Sequence, residues 1–129
     1  MEDHEFIQRF TSGRLPPPGF THEAHLRAAC LLLNDRPVLE ACIAMRNGLQ
    51  ALARAAGKPQ LYHETITVAF MAIVQARLGP AGSDWRQLVA HNADLFDRDL
   101  LLAHYSPALL ASEAARRAYT LPDRAGVAP

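Results

Sequence analysis

The chain has 129 residues, half of them hydrophobic and a fifth charged, which suits one domain with a core of its own and excludes a disordered or fibrous protein. Thirteen basic residues balance thirteen acidic ones and no basic stripe breaks that balance, so no electrostatic footprint for nucleic acid is expected. No apolar run approaches the roughly 20 residues needed to cross a bilayer, and Met1-Glu2-Asp3-His4-Glu5 lacks the charged-then-apolar layout of a secretory signal.

Apolar residues recur at helical spacing almost throughout, with Gly and Pro between the segments. Residues 3–10 predict a short helix presenting Phe6, Ile7 and Phe10. Residues 11–20 form a loop held open by Pro16-Pro17-Pro18-Gly19. Thr21 is a natural N-cap for a helix His22–Asn34. Pro37 suits the first turn of a long helix ending near Gly57. After the connection Lys58-Pro59-Gln60, a helix His63–Leu78 runs to the stop Gly79-Pro80. Ser83 or Asp84 caps a short helix through Asn92 carrying Trp85, Leu88 and Val89. Another short helix covers about Arg98–Tyr105. Ser106-Pro107 starts a last helix to about Tyr119, and the tail 121–129 is expected to fray. The pattern predicts an all-α, single-domain bundle of about five to seven helices spanning residues 1–120, without internal repeats.

Cys30 and Cys42 each lie inside an apolar helical pattern and read as reduced core thiols of a cytoplasmic protein, with a disulfide between them the less favoured alternative.

The polar residues on these helices suggest a site. Successive helical side chains turn by about 100°, so His22, His25, Leu26, Ala29, Leu32 and Leu33 share one face, and both histidines fall on the apolar side. His63 opens the most apolar helix and shares a face with Ile66, Thr67, Phe70, Ile73 and Val74; Ala69, Ala72 and Ala76 line its other side for close packing. On the preceding helix Val38, Cys42, Arg46, Leu49 and Ala53 form the expected apolar stripe. Arg46 at its centre needs an anionic or carbonyl partner, either Glu64 or a substrate carboxylate or phosphate.

Imidazoles are expensive to bury unless hydrogen-bonded or metal-bound. His22 and His25 at i and i+3 can converge on one ion, and His63 would complete three nitrogen ligands with a position left open. The leading expectation is therefore a small metal-dependent enzyme acting on a small, possibly anionic molecule. His22, His25 and His63 would hold divalent zinc or iron, Glu64 would be the fourth ligand or base, and Arg46 would orient an anionic group. Tyr105 could add a phenol. His104 and His91 read as helix-end cations, Thr65 and Thr67 as capping or packing groups, Trp85 and Phe96 as core anchors, and Arg116-Arg117 as a solvated face.

The spacing excludes several familiar centres. His22-Glu23-Ala24-His25 is one residue short of H-E-x-x-H, and His63-Glu64-Thr65-Ile66-Thr67 ends in threonine. There is no E-x-x-H pair, G-x-S-x-G, phosphate-binding Gly-rich loop or dinucleotide fingerprint.

The segments Phe20-Thr21-His22-Glu23-Ala24-His25-Leu26, Tyr62-His63-Glu64-Thr65-Ile66-Thr67 and Tyr105-Ser106-Pro107 to Ala115-Arg116, with Pro122-Asp123 beyond, resemble a group of small all-helical bacterial proteins to which no activity is attached. The resemblance covers most of the chain. It implies that the His-rich segments belong to one recurring architecture and lends no residue a catalytic role.

Two other readings stay open on the same residues. In one, a metal-free enzyme or small-molecule binding protein uses the histidines as acid–base or hydrogen-bonding groups of an apolar pocket. In the other, the chain is a structural or interaction module, with a homodimer through an exposed helix face, and the histidines are helix caps.

Overall fold

In a computed structural model, which describes residues 1–124, seven α-helices form an all-helical bundle: α1 (Asp3–Thr11), α2 (His22–Asp35), α3 (Val38–Ala55), α4 (Glu64–Leu78), α5 (Trp85–His91), α6 (Pro107–Leu110) and α7 (Glu113–Arg117). Among the described residues there is no strand, and no helix is long and apolar enough to cross a membrane.

Local chemistry sets most boundaries. The Glu2 carboxylate accepts from the His4 and Glu5 N–H groups and caps α1. Thr21 caps α2 through Ala24, and Asp84 caps α5 through Arg86. Gly57 and Gly79 follow α3 and α4 at positive φ, where other residues are strained.

α2, α3 and α4 pack against one another at the centre. α1 lies over α2 and α3, α5 against α2, and α7 against α4. The main core joins Phe6 and Phe10 of α1, Leu26, Cys30 and Leu32 of α2, Met45 of α3, Met71 and Val74 of α4, Trp85 and Leu95. A smaller cluster holds Ala69, Leu101 and Tyr105. Both cysteines are free thiols, and burial pushes the Cys30 thiol up to about 12, as an inert core group requires.

Three expectations need correction. α3 buries Ala41, Ala44, Met45 and Gly48, not the stripe Val38–Cys42–Arg46–Leu49–Ala53. The small residues decide this, because Gly48 lets the Phe10 ring lie directly against the α3 backbone. On α4 only Ala69 of the three alanines is buried; Ala72 and Ala76 face outward. The region 98–105 forms a 3₁₀ turn at Leu100–Ala103, preceded by another at Ala93–Phe96, instead of an α-helix.

The last helix breaks in two at Ala111-Ser112. The Ser112 hydroxyl accepts from Ala115 N–H, recapping the chain as α7, and donates to Leu109 O. In a continuous helix Leu110 O would accept from the residue four on. The break turns it over to a side chain of α4's N-terminus, described below.

The start of the tail is tied down. Tyr105 Oη donates to Thr120 O, Thr120 N–H donates to Thr65 Oγ1, and Asp123 accepts from the Ser106 N–H and hydroxyl. Arg124 N–H donates to His104 O. The remainder of the expected flexible tail, 125–129, lies outside the described residues.

Candidate functional site

Phe20, at the end of the proline loop, carries the core out toward the histidines. Its ring stacks on Phe10 with centroids 5.4 Å apart and meets the His25 ring at 4.7 Å. His25 in turn lies 6.2 Å from His22. Thr21's cap fixes where α2 starts, so both imidazoles project from its first turn. His22 is largely exposed, and its Nε2–H donates to Leu95 O at 2.8 Å. Its ring also meets Phe96 edge-on at 5.8 Å.

His25 is half-buried, and no hydrogen bond joins its ring to another described residue. It lines a cavity of about 370 Å³ between the proline loop, the C-terminal half of α3 and the start of α4. Phe20, Leu49, Leu52 and Ile66 make most of the wall apolar; Tyr62, His63 and Thr67 supply its polar edge. Burial, with His22 beside it, holds the His25 imidazole down at about 4, so it is neutral at pH 7.

His63 is buried and fully committed. Its Nδ1 accepts from Ile66 N–H at 3.1 Å as the N-cap of α4, and its Nε2–H donates to Leu110 O at 2.7 Å. The helix therefore begins one residue later than expected, at Glu64, and each ring nitrogen already has a backbone partner. Among the described residues, no group of three His, Cys, Asp or Glu side chains is arranged to hold a metal ion. His22 and His25 come together; His63 joins only the cavity wall, through a different edge.

The second expected partnership is present. Arg46 Nε donates to Glu64 Oε1 at 3.0 Å, Nη2 donates to Oε2, and Tyr62 Oη donates to Oε1 at 2.6 Å. The Arg46 side chain is 41% exposed and that of Glu64 is 15% exposed, so the pair lies at the rim of α3, not in the core as the stripe implied. The Arg46 guanidinium, together with the Tyr62 hydroxyl, holds the Glu64 carboxyl below its ordinary range against the effect of burial. Glu64 is thereby a weak base, and its lone pairs are directed at Arg46 and Tyr62. Burial and the Glu64 carboxylate push the Tyr62 phenol up to about 12.

Comparison of the chain with protein-family models, with curated proteins and with solved structures finds no match.

Tyr105 stands apart from this cavity. It is buried in the smaller core cluster with its hydroxyl on Thr120 O, and burial, with Tyr119 nearby, raises its pKa. Thr65 and Thr67 bond to backbone carbonyls, as capping and packing groups do. Trp85 is a core anchor, whereas Phe96 lies at the surface. The expectation of a solvated face at Arg116 is corrected: its Nη1 donates to Gln60 O at 2.6 Å and links α7 to the Pro59–Leu61 turn. Tyr62 carries no periodic signal in the sequence, because it stands at the end of a loop. Its two-residue spacing from Glu64 is the only trace of the bond they make.

Proposed function

We propose that the protein binds a small, mainly apolar molecule in the cavity beside His25, with the neutral imidazole as its hydrogen-bonding group. One observation carries this reading. His25 lines an apolar cavity, and among the described residues its ring has no hydrogen-bond partner in the protein, so its nitrogens are free for a ligand. A neutral imidazole can donate through one nitrogen and accept through the other. It therefore suits a ligand carrying one N–H, O–H or carbonyl on an apolar body, and it also suits acid–base work on such a ligand. We place the protein in the cytoplasm, where Cys30 and Cys42 stay thiols.

The test is thermal stabilisation by indole and phenol in the presence of a chelator. Saturable stabilisation that disappears in His25→Leu supports the reading. Absence of stabilisation, or equal stabilisation of the variant, overturns it. At a ligand concentration of about 100 Kd the gain is on the order of 2.7 kcal/mol.

The metal-dependent enzyme remains a second reading, favoured by the 6.2 Å separation of the His22 and His25 rings on one helix face. In that case iron or zinc would be held by two histidines, with substrate or water completing the shell, and His22 would release Leu95 O. Elemental analysis of protein purified without added metal separates the two. Stoichiometric metal lost in both His22→Ala and His25→Ala selects the metal reading, and metal-free protein rejects it.

A further inference from the structure

Tyr62 also lines a second cleft, of about 570 Å³, between α3, the Pro59–Leu61 turn and α7. Arg46 and Arg54 enter it from α3, and Arg116 and Arg117 enter it from α7. Only two carboxylates, Glu64 and Glu113, answer these four guanidinium groups. A chain whose formal net charge is zero thus concentrates two surplus positive charges in one concavity.

The hydrogen bonds leave the same imbalance. Arg46 spends Nε and Nη2 on Glu64, Arg116 spends Nη1 on backbone carbonyls, and Arg117 spends Nε on Glu113. Arg54 and Gln50 bond to no described residue and are one turn apart on the α3 stripe that begins at Arg46. The cleft therefore offers donors from two helices with few acceptors of its own. Guanidinium forks match the oxygens of phosphate and carboxylate.

We propose that this cleft is a second binding site, for a small doubly charged oxyanion held by Arg54 together with the free edges of Arg46 and Arg116. The surplus of two charges sets the ligand's charge. The concave shape, with Glu64 and Glu113 among its walls, disfavours a long polyanion. This site does not depend on the reading of the His25 cavity.

The experiment is calorimetric titration of the full chain with inorganic phosphate and with succinate, sodium chloride holding the ionic strength constant. Arg54→Gln is the informative variant, because Arg54 is exposed and its side chain hydrogen-bonds to no described residue. Arg98→Gln, at an exposed turn elsewhere, is the control. One-to-one binding that weakens about tenfold or more in Arg54→Gln and is unchanged in Arg98→Gln supports the site. A response to phosphate alone assigns a phosphoryl ligand, and a response to succinate alone assigns a dicarboxylate; either of these, or a response to both, upholds a dianion site. Heats no different from chloride, or equal weakening in both variants, overturn it.

Discussion

The Nε2–H of His63 donates to the carbonyl oxygen of Leu110 at 2.7 Å, joining the first turn of α4 to a helix break 47 residues later. The opposite nitrogen caps α4 through Ile66. This single ring closes two sets of backbone groups that helix ends leave open, which is a structural task and accounts for a histidine at the head of so apolar a helix.

His63→Ala removes both bonds. Loss of a cap costs about 1 kcal/mol, and leaving the half-buried Leu110 carbonyl unpaired costs about 1–3 kcal/mol. Urea denaturation should show a loss of about 2–4 kcal/mol. His63→Asn, which restores the cap but does not reach Leu110, should recover about 1 kcal/mol of it. Equal losses in the two variants would mean that the cap contributes nothing.

His25 makes stability depend on pH in a defined window. Its folded pKa is about 4, below the ordinary 6.5, so between these values the unfolded chain binds the additional proton. Stability from His25 is intact above about pH 6.5 and falls as the pH drops toward 4, with a slope of up to about 1.4 kcal/mol per pH unit. Urea midpoints at pH 5.0, 6.0 and 7.0 should therefore separate wild type from His25→Gln, which lacks this titration. Parallel profiles would show that the ring takes up its proton alike in the folded and unfolded states, against the lowered value.

The Arg46–Glu64 pair should yield a modest coupling. Arg46 is substantially exposed, so solvent screening limits the interaction to about 1 kcal/mol. A double-mutant cycle of Arg46→Met and Glu64→Gln reads it directly. The Glu64 carboxyl is held low, so the coupling persists above the ordinary carboxylate range and fades as the pH falls through its lowered pKa. A coupling unchanged down to pH 2 would contradict the ion pair.

Gly48→Ala tests the α1–α3 contact. In an exposed helix the change would stabilise by about 1 kcal/mol. Here the added Cβ overlaps the Phe10 ring, which is buried on all sides, and overpacking costs about 1–3 kcal/mol. Thermal melts should show net destabilisation that Phe10→Leu in the same chain partly relieves.

Much of the architecture was legible. The caps at Thr21, Asp84 and Ser106 and the stops at Gly57 and Gly79 lie where local chemistry places them. An arginine among apolar neighbours needs an anion, which left Glu64 and a substrate carboxylate or phosphate as candidates for Arg46; the fold selects Glu64. The buried face of α3 was misread because hydrophobicity favours Val38 and Leu49, whereas close packing favours Ala41, Ala44 and Gly48.

The sequence by itself determined that this chain folds as helices, where most of them start and stop, and that Arg46 needs an anionic or carbonyl partner. These follow from interactions between near neighbours and from charge complementarity. Tertiary structure alone decided that His63 and His22 bond to Leu110 and Leu95, and that His25 is left facing a cavity. The physical reason is that every residue carries a carbonyl oxygen, so a backbone acceptor has no signature in side-chain identity. Only the folded path of the chain selects which one a ring nitrogen meets.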